Sequence, residues 1–388
     1  MSSTNFGDYQ LGIYMQGMHG NKPDLPLNID ELKDMAREKL DPRAYWYVAG
    51  SAGNASTEQA NKLAFERWKI VPRMLRDLSQ RDHRTRILNT DMNAPLMLAP
   101  IGVQEILHED CERAVARAAR ATNVPMILST VSSTPLEEVA EILGDNPKWF
   151  QLYWPKDQQV TKSLLKRAEA AGYEAIVVTL DTKILGWREH DLQEAYLPFL
   201  EGKGIVNYIT DPAFRASLDE APEASMQKAI VRFTEIYADT TQTWDDLKFL
   251  QDNTSLPIVL KGVLHPDDAK EAVSRGIQGI IVSNHGGRQI DGAIGALDVL
   301  PGIVDAVGDD ISILFDSGIR HGADVVKALA LGADAVLLGR PYAYGLAVGG
   351  EEGAQKVIQQ MLAEYDITMA LSGYTNPKQL NRSILQHT

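Results

Sequence analysis

A histidine set between a strand-like run and two glycines is the most chemically suggestive feature of this 388-residue sequence. In Ser283-Asn-His-Gly-Gly-Arg-Gln289, the imidazole of His285 has an ordinary pKa of about 6.5, so it can accept a proton near neutral pH. Two glycines let a ligand approach the backbone, and Arg288 can hold a carboxylate through paired hydrogen bonds. A loop histidine by itself is more often structural; the strand end before it and Gly-Gly after it favour the chemical reading.

A second group consists of Asp316-Ser-Gly-Ile-Arg320 and the later Gly339-Arg340. Backbone N–H groups, a helix start and an arginine together suit a phosphate, although both arginines could simply pair with surface acids. Lys261 ends an apolar run; it reads as a Schiff-base nucleophile, a counter-ion for an anionic cofactor, or a snorkelling lysine. Asp181 and Arg188 follow another such run. Tyr47 belongs to an aromatic helical stretch that is by itself better explained by packing. No cluster has zinc-ligand spacing, and neither a nucleotide P-loop nor a Gly-x-Ser-x-Gly elbow occurs.

The elements that must position these residues are eight short apolar runs, at 96–100, 125–128, 149–153, 175–179, 257–261, 279–283, 311–315 and 335–338. Helical patterns alternate with them, as parallel strands and crossover helices require. The expected fold is therefore α/β, a TIM (β/α)8 barrel, which needs roughly 250 residues. A doubly wound sheet is second choice, because no Gly-x-Gly-x-x-Gly follows the first run. In a barrel the polar residues at the strand ends converge on one mouth. Residues 1–95 form an expected N-terminal helical extension, with a helix over 29–50 and another over 57–68, covering the closed end and one side. Residues 96–388 form the barrel, and a long stretch at 182–243, after strand four, is expected to be a lid.

With 38 Lys and Arg against 52 Asp and Glu, the net charge of −14 disfavours nucleic acid, and no apolar run is long enough for a membrane span. One cysteine, Cys111, precludes an intramolecular disulfide and suits a reducing compartment; the start lacks a secretory pattern, so a cytoplasmic location is expected.

Ser-Asn-His-Gly-Gly-Arg-Gln289, Phe-Gln-Leu-Tyr153, Leu-Lys-Gly262, Asp-Ser-Gly-Ile-Arg320 and Gly-Arg-Pro341 resemble the FMN-dependent L-2-hydroxy acid oxidase family, along nearly the whole chain from Tyr47 to Gly373. The resemblance implies FMN as cofactor, with Pro100, Ile101 and Gly102 along the flavin ring near N5 and Ser129, Gln151 and Thr179 bonded to it. It turns Lys261 towards electrostatic stabilisation of the reduced ring, and gives ribityl and phosphate to Ser283, Asp316, Gly318, Arg320, Gly339 and Arg340. It implies a substrate carboxylate on Arg188 and Arg288, hydrogen bonds from Tyr47 and Tyr153, His285 as proton acceptor and Asp181 behind it. The partners implied are a 2-hydroxy acid and O2, in a homo-tetramer or homo-octamer.

Two features lean towards lactate 2-monooxygenase within that family. Gly102 stands where many members carry alanine, which is expected to open space beside N5, and the 182–243 stretch resembles the longer monooxygenase insertion. Glu189-His190 departs from the Pro-Arg of that pattern, which bears on lid closure. The expected activity is oxidation of L-lactate, with pyruvate decarboxylated in the closed site to acetate, CO2 and water. The runner-up is a lactate oxidase releasing pyruvate and peroxide. Competing classes are a non-redox barrel using Lys261 as a Schiff base and a flavin-holding structural protein.

Overall fold

The computed structural model describes residues 5–388. Its centre is a closed parallel barrel of strands β1 (Leu96–Leu98), β2 (Met126–Ser129), β3 (Lys148–Leu152), β4 (Ile176–Thr179), β5 (Ile258–Val263), β6 (Gly279–Val282), β7 (Ser312–Phe315) and β8 (Ala335–Leu338). Each strand pairs with its sequence neighbours, and β8 closes on β1. The strands read as continuous apolar runs because both faces are buried, one against the helices and one against the barrel axis.

Strand periodicity sorts the two faces. Met97, Ile127, Trp149, Val177, Val259, Ile281, Leu314 and Leu337 form an apolar layer inside the barrel, whereas their strand neighbours, such as Leu128, Phe150, Val178 and Leu260, pack outward with the helices. The next inward position on each strand, two residues on, is Ala99, Ser129, Gln151, Thr179, Lys261, Ser283, Asp316 or Gly339. A polar layer thus sits directly on the apolar one, facing the mouth.

The opposite end is plugged by a hairpin of Thr85–Ile87 and Thr90–Met92. Ile87 and Met92 join the inner apolar layer, and Trp149 donates its indole N–H to Thr90 Oγ1 at 2.8 Å. The N-terminal extension also reaches the open mouth, beyond the closed end and side expected of it. The helix expected over 29–50 is two helices, Ile29–Lys39 and Pro42–Ala49. Asp41 lies before a proline, which excludes it from helical geometry, and its carboxylate caps the second helix by accepting the Arg43 N–H at 2.9 Å. The resulting turn aims Pro42–Ala49 at the mouth.

The long stretch after β4 is mostly packed structure. Phe199, Ile205, Tyr208, Phe214, Ile230 and Phe233 are buried in the main core. Asn207 ties it down by accepting from the Leu136 N–H and donating to Thr130 O, at 2.9 and 3.0 Å, and Arg167 pairs with fully buried Asp211 at 3.1 Å. Its beginning is exposed, with Ile184 73% and Trp187 70% accessible. Among the described residues no helix is long and apolar enough to cross a membrane.

Candidate active site

The polar layer is internally bonded. Ser129 donates to Gln151 Oε1 at 3.0 Å, and the Gln151 amide donates to Thr179 Oγ1 at 2.8 Å, so one chain of hydrogen bonds crosses β2, β3 and β4. On the other side of the mouth Lys261 donates to Ser283 Oγ at 2.9 Å and lies 3.3 Å from Asp316. Burial opposes the Lys261 charge, but Asp316 and Asp181 outweigh it and hold the ammonium above its ordinary pKa. A lysine so paired is a fixed cation, which argues against the Schiff-base alternative, since that chemistry needs a free amine.

The loop after β6 turns back sharply through three left-handed residues, His285, Gly286 and Gly287, at φ of 58°, 66° and 77°. A Cβ on Gly286 would stand 2.7 Å from Arg340 Nη1, and one on Gly287 would meet the Glu58 backbone at the same distance, so glycine is required for space as well as for φ. Hydroxyls hold the turn: Ser317 Oγ accepts from the Gly286 N–H at 3.0 Å, and Ser283 Oγ from the His285 N–H at 3.1 Å. His285 Nδ1 lies 2.8 Å from Asp181 Oδ1, leaving Nε2 for a ligand. Burial lowers the His285 pKa below 6.5, only partly offset by Asp181, and Lys261 lowers it further. Burial works against the Asp181 charge, yet His285 and Lys261 keep its carboxyl below the ordinary value. At neutral pH the pair is therefore a neutral imidazole backed by a carboxylate, the state of a general base.

Two arginines stand beside that imidazole. Arg188 donates to Arg288 O at 3.2 Å and to Gln289 Oε1 at 2.8 Å, and Arg288 donates to Gly50 O at 2.8 Å with its guanidinium over the Tyr47 ring. Burial and the neighbouring charges of Arg188 and Arg340 push the Arg288 pKa down to about 9. A cation crowded in this way gains most from an anion placed against it. Tyr47 and Tyr153 are raised above the ordinary phenol value by burial and remain donors.

Past Lys261, the pocket runs to Gly318, Arg320, Gly339 and Arg340, where the helical stretch Arg340–Leu371, kinked at Gly349 and Gly350, begins. Arg340 donates to Val48 O, Gly286 O and Gly50 O, and Arg320 to Ile319 O, all neutral acceptors. Glu58 lies near both arginines: burial raises its pKa, but Arg340 and other partners bring it down to about 2. With the open solvent at its mouth included, the pocket spans about 1040 Å³. Its donor set fits a flavin mononucleotide: a buried cation at one end of a polar layer, and glycines, a helix start and two guanidinium groups at the other.

Every predicted site residue falls in or against this pocket. Ser129, Gln151, Thr179 and Ser283 lie beneath its floor, Asp181 lies behind His285, and the others line it. The space expected beside Gly102 is filled. A Cβ there would stand 2.5 Å from both Val131 O and Val131 Cγ2, so glycine admits Val131 instead of leaving a void. Sequence reasoning missed Ser317 and Gln289, although both lie inside the motifs it singled out. Gln289 Nε2 donates to Asp181 O and Ile184 O at 2.7 and 2.9 Å, tying the β6 loop to the segment after β4. Phe199, Tyr237, Leu185 and Val131 also line the pocket; nothing local marks them.

The family model of FMN-dependent dehydrogenase matches residues 36–387. An FMN-dependent alpha-hydroxy acid dehydrogenase of Penicillium citrinum, qulF, is 45% identical, covering 100% of this chain and 97% of its own length. An L-lactate oxidase of Lysinibacillus sphaericus is 43% identical, covering 97% and 95%. Among solved structures, a mandelate oxidase superposes with TM-score 0.82 at 37% identity over 93% of this chain and 98% of its own.

Proposed function

Because the chain belongs to the FMN-dependent dehydrogenase family, whose activity here is FMN-dependent oxidation of a 2-hydroxy acid, we propose that its substrate is L-lactate and that it acts as a lactate 2-monooxygenase. The observation that carries the substrate class is the His285–Asp181 pair set beside two arginines and the fixed cation of Lys261. FMN, when bound, would supply the two-electron acceptor for the substrate Cα hydrogen, with O2 as the final oxidant.

Arg188 and Arg288 hold the carboxylate, and Tyr47 and Tyr153 donate hydrogen bonds to the substrate oxygens. His285 Nε2 removes the hydroxyl proton while Nδ1–H stays on Asp181, whose negative charge stabilises the imidazolium that forms. Ser129, Gln151 and Thr179 would hold the polar side of the flavin, with Pro100, Ile101 and Gly102 beside it, and Lys261 would stabilise the negative charge of the reduced cofactor. Ser283, Asp316, Gly318, Arg320, Gly339 and Arg340 would hold the ribityl chain and phosphate.

Retention of the first product is favoured by the roof of the substrate end. Phe199 and Tyr237 line the pocket, and both rings pack on Phe233, itself wedged against buried Tyr208. A roof anchored in the core excludes water and slows escape, so pyruvate meets the peroxide formed beside it. The C1–C2 bond then breaks as peroxide oxygen adds to C2, giving acetate, CO2 and water.

The test is product analysis in air with L-lactate. Acetate and CO2 matching the lactate consumed, with little peroxide, are expected. Stoichiometric peroxide and free pyruvate would overturn the monooxygenase assignment in favour of a lactate oxidase, the activity named for the Lysinibacillus relative.

A further inference from the structure

The helix Pro42–Ala49 presents Arg43, Trp46 and Tyr47 on one side, at the i, i+3, i+4 spacing of a single helix face. That face meets the segment after β4. The Arg43 guanidinium sits 4.9 Å from the Tyr196 ring and 3.8 Å from Glu201, and the Trp46 indole stacks on the His190 imidazole, with centroids 3.6 Å apart and planes 9° from parallel.

His190 lies in the short helix Glu189–Gln193, which starts directly after Arg188 and contains no buried residue. Five residues without buried side chains cannot hold a helix in water, because nucleation costs more than so few hydrogen bonds return. In the chain before it the side chains of Ile184 and Trp187 are largely exposed, and the ties are made by the backbone, Ile184 O accepting from Gln289 Nε2 and Trp187 O from the Gly53 N–H, both at 2.9 Å. The Trp46 stack packs this helix against Pro42–Ala49, and Arg188, whose guanidinium also bonds Arg288 O and Gln289 Oε1, is its N-terminal flank. Trp46 in turn adjoins Tyr47, so the stack sets the spacing between the two elements that bring a guanidinium and a phenol to the substrate end.

We propose that His190 is a positioning residue for the substrate: stacked on Trp46, it restrains the helix Glu189–Gln193 and so, together with the bonds to Arg288 O and Gln289 Oε1, the Arg188 guanidinium. This rests on Arg188 binding the substrate carboxylate.

The test uses the FMN-loaded enzyme with His190→Ala, His190→Phe and Arg188→Met. Stacked aromatic pairs carry an energy equivalent to roughly 2- to 12-fold in an equilibrium. In His190→Ala, amide hydrogen exchange at Leu192, Glu194 and Tyr196, whose N–H groups bond within this segment, should quicken by that factor. The apparent Kd for L-lactate in anaerobic flavin bleaching should rise by the same factor, while the limiting rate and FMN content stay near the parent's. His190→Phe, which keeps a flat ring, should restore both. Unchanged exchange and Kd in His190→Ala overturn the proposal, as does a Phe variant that behaves like the Ala variant. If exchange quickens while Kd holds in both His190→Ala and Arg188→Met, the carboxylate assignment has failed and the positioning role falls with it. A Kd raised only in Arg188→Met leaves the function standing and rejects His190.

Discussion

Replacing Asp181 by Asn separates two things the carboxylate does for His285: it orients the ring and it supplies charge. The amide oxygen of Asn can still accept the Nδ1–H, so the tautomer survives; the negative charge does not. With Nδ1 and Oδ1 2.8 Å apart, the centres of charge of imidazolium and carboxylate lie about 4 Å apart, where an effective dielectric of about 20 gives about 4 kcal/mol. If about half of the proton's charge has reached the ring in the transition state, the loss is about 2 kcal/mol, or roughly 30-fold in rate; full transfer makes it roughly 900-fold. The assay is stopped-flow flavin bleaching without oxygen at saturating L-lactate. A second signature has a definite sign. Asp181 raises the His285 pKa against the lowering by burial, so removing it lowers that pKa further. Because the base must be unprotonated, the acid limb of the pH–rate profile should move to lower pH while the plateau falls. A variant reducing flavin within about threefold of the parent, or an acid limb moving upward, would refute the reasoning.

Arg288→Lys loses the planar fork that meets a carboxylate and should weaken lactate binding roughly 10- to 100-fold, read from the substrate dependence of bleaching. Gly102→Ala forces a methyl onto Val131 O and Cγ2; overpacking of this kind should cost about 1–3 kcal/mol in denaturant unfolding, and any shift of the β1 loop will appear as an altered ratio of acetate to peroxide. Glu112 is fully buried and accepts from the Gln104 and Ser133 N–H groups, and burial raises its pKa to about 7 from 4.5. Folding therefore takes up a proton, and this contribution, on the order of 3 kcal/mol, is present below about pH 4.5 and lost as pH rises to about 7. Glu112→Gln should accordingly gain stability relative to the parent at pH 8 compared with pH 5, as measured by urea unfolding at both pH values.

What the sequence determined by itself followed from local periodicity. Alternation along each strand has a period of two, so once the apolar runs are recognised, Gln151, Thr179, Lys261, Ser283 and Asp316 must point the same way as the inner apolar residues two positions before them. Parallel closure then brings them to one mouth. The motif around His285 was legible because glycines and a base in sequence constrain one another at short range. Short-range patterns also suggested a single helix over 29–50, and only the capping geometry at Asp41 and Pro42 shows where it breaks. Tertiary structure alone decided what meets across long separations: Val131 filling the place of a methyl on Gly102, Gln289 bridging to Asp181 and Ile184, and the Trp46 ring lying flat on His190. Val131, Ile184 and Trp46 are not special in their own surroundings. Their importance arises when barrel closure and the turn at Pro42 place surfaces from distant parts of the chain within van der Waals reach.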